Sequence, residues 1–213
     1  NTIGIFYFYP MNAETQEKLN KLLAISESYD ALLYDVDGTL ADNIEAHKLA
    51  YVAVAEEYGI SLDAALIDET AGWPTVAVAQ EISIRYGKIF DIQAFSLRKS
   101  AIFIEKFVYN TQAIDYVLAH LLAHVGKKKI GIVSGGSRST LAITLDVIGV
   151  AGKYETLVCA GDTPEGKPSP QPFLLAAEQL GVNPAACLVF EDGNPGVEGA
   201  KAAGMGWVRI DQL

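Results

Sequence analysis

Two aspartates, Asp35 and Asp37, stand two residues apart in "YDVDGTLADN", directly after the apolar run "ALL". Carboxylates this close raise each other's pKa unless a cation shares them. One can serve as a nucleophile, and its neighbour can give and take protons. Three further stretches carry polar groups of the same kind. "GIVSGGSR" offers Ser134, Gly135, Gly136 and Arg138; "GDTPEGKPSPQPF" offers Lys167; "LVFEDGNPG" offers Glu191 and Asp192. Together these residues supply oxygen donors, one lysine, one hydroxyl and glycine-rich backbone. Oxygen-only donors suit Mg²⁺, which accepts a few carboxylates together with water and phosphate oxygens. Lys167 and the N–H groups of "SGGS" can hold phosphate oxygens, because a backbone nest at a helix N-terminus binds anions.

These groups must be brought together by the elements that carry them. "DALLYDV" reads as a buried strand, as do "KIGIV", "YETLVCA", "ACLVF" and "GWVRI". Between them lie the helical stretches "SRSTLAITLDVIG", "PQPFLLAAEQLG" and "NPGVEGAKAAG". A further helix, "TQAIDYVLAHLLAHVG", places Ile114, Val117, Leu118, Leu121, Leu122 and Val125 on one stripe. Strands alternating with helices of this length predict an α/β fold, a Rossmann-like parallel sheet covered on both faces. In such a sheet the polar residues that end the strands collect at one edge, where ligands sit. The segment 43–110 interrupts this pattern directly after the paired aspartates. It reads as four helices, "IEAHKLAYVAVAEEYG", "SLDAALIDETAG" with a serine cap, "PTVAVAQEISIRYG" and "DIQAFSLRKSAIFIEKFVYN". An insertion there covers the sheet edge like a lid. The expected organisation is therefore a core of 29–42 and 111–213, an inserted helical bundle of 43–110, and an N-terminal extension of 1–28. The extension carries a helix, "NAETQEKLNKLLAISE", expected to pack on the core and to be available for a dimer contact. Met11 is read as the natural start, with "TIGIFYFYP" as upstream sequence rather than a signal peptide.

Composition narrows the function. The chain has 213 residues and a net charge of −10, a surface that repels nucleic-acid backbones and obliges an anionic ligand to find local positive charge. No apolar run reaches the roughly 18 residues of a membrane span. Cys159 and Cys187 lie far apart in apolar runs and read as buried thiols of a reducing compartment, so the expected location is cytoplasmic. The expected partner is a small phosphate ester rather than a nucleic acid or a membrane, and the expected state is a monomer or weak dimer.

"DVDGTLADN", "VSGGSR", "GKPSP" and "FEDGNPGVEGAKAAGM" resemble the four ordered motifs of the haloacid dehalogenase-like superfamily over roughly 29–213. The chain is similar to its β-phosphoglucomutase-like phosphatases, whose helical cap follows the first motif, and to the short fructose-1-phosphate-phosphatase-like members. The resemblance implies Asp35 as the nucleophile that becomes an aspartyl phosphate, and Asp37 as general acid/base. It implies Ser134 and Lys167 at the phosphate, and Asp35, the Asp37 carbonyl, Asp192 and Glu191 at Mg²⁺. The dehalogenase and phosphonatase branches lack an aspartate at position 37, so Asp37 favours phosphoryl chemistry. The implied activity is hydrolysis of a small organophosphate, a sugar phosphate first among them. The alternatives are a hexose-phosphate mutase and a non-catalytic phospho-ligand-binding protein. Relatives carry a substrate-reading arginine where this chain has Ala77, which counts against the mutase. Trp73 replaces other cap residues and either stacks on a sugar or packs between helices. His47 reads as a substrate contact or a structural histidine, and Arg138 as an anion contact or a helix cap. His120 and His124 receive no role.

Overall fold

The structure is a computed structural model and describes residues 11–213; "TIGIFYFYP" lies outside these residues. Five parallel strands form the sheet: β1 (Ala31–Tyr34), β4 (Lys129–Val133), β5 (Thr156–Val158), β6 (Cys187–Glu191) and β7 (Gly206–Arg209), in the order β5-β4-β1-β6-β7. β1 is central and all four of its residues are buried, as expected of a short apolar run with neighbours on both sides and both faces. Alternate side chains enter different cores. Leu32 and Tyr34 join the cluster formed with α1 (Ala13–Ser26), α6 (Asp115–His124) and α7 (Arg138–Val147). Ala31 and Leu33 join the cluster formed with α8 (Gln171–Leu180) and α9 (Asn194–Ala202). The predicted α/β, Rossmann-like parallel sheet with helices on both faces is present.

Between β1 and α6 the chain forms α2 (Ile44–Glu57), α3 (Ala65–Glu69), α4 (Thr75–Tyr86) and α5 (Ile92–Lys106). These helices bury their own apolar set, including Tyr51, Val54, Ile82, Phe95, Ile102 and Phe103. Two short strands not anticipated from the sequence, β2 (Ala41–Asp42) and β3 (Gln112–Ala113), pair antiparallel where the insertion leaves and rejoins the sheet. Two strands of two residues carry no readable alternation, so only the tertiary pairing reveals them.

Local details differ from expectation. Helix α6 begins at Asp115, because residues 112–113 are spent on β3. Its inward face holds Val117, His120, Leu121 and His124, while Val125 is exposed. Helix α3 is shorter than the serine-capped segment suggested and starts after Asp63, whose carboxylate accepts the N–H of Ala65. Helix α1 is capped by Asn12 and lies on α6. Its C-terminal carbonyls, Ser26 and Glu27, accept from Lys128. At the same junction Ser26 Oγ donates to Leu22 O, so it accepts from His120 Nε2 at 2.8 Å; His120 Nδ1 then accepts from the Tyr34 hydroxyl at 2.9 Å. Among the described residues no helix is long and apolar enough to cross a membrane.

Candidate active site

The carboxyl ends of β1, β4 and β6, with the loop after β5, converge as parallel packing requires. Asp35 follows β1 and its N–H donates to Phe190 O on β6, which fixes the backbone at the sheet edge. Its carboxyl is buried. Lys167, from the loop after β5, donates to Asp35 Oδ1 at 2.6 Å, to Glu191 Oε1 at 2.5 Å and to Val133 O at 2.8 Å. Three acceptors satisfy its three N–H bonds. Burial disfavours the lysine charge, but Asp35 and Glu191 outweigh it and hold the ammonium protonated well above its ordinary range. Burial also pushes Asp35 well up, opposed by Lys167 and reinforced by Glu191, Asp192 and Asp37.

One lysine therefore serves several buried acids. Asp35, Glu191 and Asp192 each offer an oxygen within 4.8 Å of the others. Asp192 is pushed up to about 6, by burial first and by Glu191 second, against a hydrogen bond from Thr39. Both oxygens of Glu191 are engaged, one by Lys167 and one by the N–H of Gly193. Asp35 Oδ2 and Asp192 Oδ2 are left over. This donor set, all oxygen and short of positive charge, fits a hard divalent cation such as Mg²⁺. Gly38 makes the close approach possible: its φ is +86°, and a Cβ there would lie 2.1 Å from Asp192 Oδ2.

Asp37 sits in a different environment. Asn43 Nδ2 donates to its Oδ1 at 2.6 Å, and His47 Nε2 approaches the same oxygen at 3.1 Å. Lys99 Nζ is 2.6 Å from His47 Nδ1. An ammonium only donates, so Nδ1 accepts and the imidazole proton resides on Nε2, directed at Asp37. Burial and then Lys99 lower the pKa of His47, which keeps the ring neutral. Burial alone would raise Asp37, but His47, Asn43 and Lys99 outweigh it and hold the carboxylate well below its usual range. His47 stacks on Phe103 at 4.0 Å, and Lys99 lies over the Tyr51 ring at 4.4 Å. A chain of donors thus runs from α5 through α2 to the carboxylate after β1.

A cavity of about 100 Å³ lies between the sheet edge and the helical insertion. Asp35, Asp37, Ser134, Gly135, Gly136, His47, Trp73 and Asp192 line it; Lys167 and Glu191 lie buried beneath. Ser134 Oγ accepts the N–H of Gly136 at 3.1 Å, which leaves its hydroxyl proton free to donate. Trp73 touches Gly135 through its backbone: a Cβ at Gly135 would lie 2.8 Å from Gly72 O and 3.3 Å from Trp73 O. Arg138 is not in the cavity. It is the first residue of α7 and turns outward to Asp162 at 2.5 Å, so the substrate-binding reading is corrected. Ala77 also lies outside. Thr75 and Val78 are the residues of α4 that face the cavity, because position 77 is rotated away from both on the helix.

Sequence reasoning missed Thr39, Asn43, Tyr51, Asp68, Thr75, Lys99 and Ser100. Lys99 left a signal: it falls four residues after Phe95 and four before Phe103, within the buried stripe of α5. A lysine in an apolar stripe is a buried cation in need of a partner.

A parallel sheet with its polar cluster at the carboxyl edge, beneath an inserted helical bundle, defines the Rossmann-like α/β class of ligand-transforming proteins. Residues 32–210 match the haloacid dehalogenase-like hydrolase family, and the chain belongs to it. It is 29% identical to fructose-1-phosphate phosphatase YqaB of Escherichia coli over 88% of this chain and 99% of that protein. It is 26% identical to the β-phosphoglucomutase of Bacillus subtilis, over 85% of this chain and 83% of that one. In fold it resembles the crystal structure of CbbY from Rhodobacter sphaeroides, with a TM-score of 0.76 at 20% identity over 84% of each chain.

Proposed function

We propose that the protein is a Mg²⁺-dependent phosphatase that hydrolyses a small phosphorylated compound, a sugar phosphate above all, through a phospho-aspartate. The observation that carries this reading is the contrast between its two aspartates. Asp35 is buried against Lys167 and Glu191, whereas Asp37 faces the same cavity from a hydrogen-bonded niche of Asn43 and His47. In this reading 29–42 and 111–213 form the catalytic core, and 43–110 is a cap that excludes bulk water.

The Asp35 carboxylate attacks phosphorus while the ester P–O bond breaks. The leaving oxygen takes a proton through Asp37, whose resting carboxylate first receives it from the phosphate hydroxyl of the monoanionic ester. In the second half, Asp37 removes a proton from water, the water oxygen attacks phosphorus, and the P–O bond to Asp35 breaks to release phosphate. His47, directed at Asp37 by Lys99, steadies the carboxylate between the two steps. Lys167 stays protonated and supplies fixed positive charge beside the attacking group, while Ser134 and the N–H groups of Gly135 and Gly136 are placed to hold phosphate oxygens. Asp35 and Asp192, with Glu191 behind them, would hold Mg²⁺, which supplies Lewis-acid neutralisation of phosphate charge when bound.

The test is phosphate release from a panel of sugar phosphates, with and without Mg²⁺, by the natural protein and by Asp35→Asn. Release that needs Mg²⁺ and falls at least ~10³-fold in the variant is expected. Isomerisation without free phosphate would replace this reading with the mutase. Turnover by Asp35→Asn near the natural level would remove the nucleophile.

A further inference from the structure

The charges that line the cavity are unequal in number. Four are carboxylates, Asp35, Asp37, Asp68 and Asp192, and one is an ammonium, Lys99. The lysine is already committed. It is only 4% exposed, its Nζ donates to His47 Nδ1 at 2.6 Å, and the Tyr51 ring covers it. Asp35 and Asp192 face the transferred phosphate and its cation. Asp68, at the end of α3, is the one charged group left on the insertion's side of the cavity among the described residues. Its side chain is 59% exposed, and its partner Lys48 at 2.7 Å is shared with Glu45 at 2.9 Å. Two acids on one lysine leave that rim net negative. The rest of the insertion's side offers hydroxyls: Tyr51, with Thr75 beside its phenol, and Ser100. Thr75 opens α4 and lines the cavity with an uncharged hydroxyl.

We propose that this cavity selects phosphate esters whose leaving group is a neutral polyol and rejects those that carry a second anion, with Asp68 as the excluding charge and Thr75 as the residue that leaves the far wall uncharged. The inference rests on the phosphatase reading and names the substrate class of that same site. A second phosphate or a carboxylate entering the far half meets a net negative rim, and the neighbouring cation is already bonded elsewhere; a polyol meets hydroxyl partners. Exclusion by a like charge that a shared lysine only partly neutralises is a source of specificity. It works over this range because a partly enclosed site screens charge less than water does.

Matched pairs test it: hexose 6-phosphate against hexose 1,6-bisphosphate, and glycerol 3-phosphate against 3-phosphoglycerate. With Mg²⁺, the natural protein is expected to favour the neutral member of each pair by about 100-fold in kcat/KM. Asp68→Asn should narrow the ratio by about 5-fold, and Thr75→Arg by about 10-fold or more. Turnover of monophosphates with equal or better turnover of the doubly anionic partners would overturn the inference and leave the phosphatase reading intact. Ratios unmoved by both substitutions would also overturn it. If nothing is turned over, the phosphatase reading falls, and calorimetric titration of Asp35→Asn with the same pairs and Mg²⁺ decides the inference alone. Tighter binding of the neutral members upholds it; equal or tighter binding of the doubly anionic ones, or no binding of either, removes it.

Discussion

Replacing Lys99 by methionine should make the protein more stable and less active. Burial lowers the Lys99 ammonium from its ordinary 10.5 to about 8, against the attraction of Asp37. At about 1.4 kcal/mol per pH unit, keeping that charge inside the insertion costs roughly 3 kcal/mol of folding free energy at pH 7. The Tyr51 face, 4.4 Å away, returns about 1 kcal/mol, and the hydrogen bond to His47 Nδ1 about another 1 kcal/mol. Methionine has a similar length and no charge, so a net gain of about 1 kcal/mol remains, or roughly 2–4 °C in Tm for a chain of this size. The sign follows from the depressed pKa. Unfolded chains bind the proton up to pH 10.5 and the folded protein only to about 8. The penalty is therefore complete below pH 8 and fades toward 10.5, and the advantage of Lys99→Met should fade with it. Activity should move the other way. Without the ammonium, His47 Nδ1 loses its donor, the imidazole proton is no longer confined to Nε2, and Asp37 loses part of its support. A fall of about 100-fold in kcat/KM is expected, on the scale of acid–base catalysis. Thermal unfolding from pH 7 to 10.5 and steady-state kinetics on one preparation provide the comparison. A variant less stable than the natural protein at pH 7, or one with unchanged kinetics, would refute the reasoning.

Two further outcomes can be checked with the same instruments. His120 is held down to about 3 by burial first, then by His124 and Lys128, so it is neutral in the fold and gains a proton on unfolding below its ordinary 6.5. Its contribution should be complete above pH 6.5 and about 2 kcal/mol smaller at pH 5; the Tm gap between the natural protein and His120→Gln should narrow accordingly from pH 7 to 5, and a constant gap would contradict this. Gly135→Ala should push a Cβ against Gly72 O, which lies only 2.8 Å from that position, and force the insertion off the loop after β4. A loss of roughly 10-fold or more in kcat/KM with Tm changed by no more than a few degrees is expected, and unchanged kinetics would show that this contact does not set the catalytic geometry.

Much of this site is legible in the order of its residues. Strand and helix alternate with clear periods, and parallel strands deliver their C-terminal residues to one edge whatever the details of packing. Asp35, Asp37, Ser134, Lys167, Glu191 and Asp192 could therefore be gathered from four stretches far apart in the chain, and the structure brings them together. What the sequence could not show was which way side chains on single helices turn. Arg138 and Ala77 point away from the cavity, and Thr75 and Asp68 point toward it, because a rotation of one residue on a helix is about 100° and motif spacing does not record it. The β2–β3 ribbon is too short for a period. The Lys99–His47–Asp37 chain joins residues from α5, α2 and the loop after β1, and exists only because the insertion folds back over the sheet. Residue order alone sets the sheet, its edge and the polar groups that collect there. Packing settles what surrounds those groups, since burial, pairing and charge balance are properties of packed neighbours rather than of position along the chain.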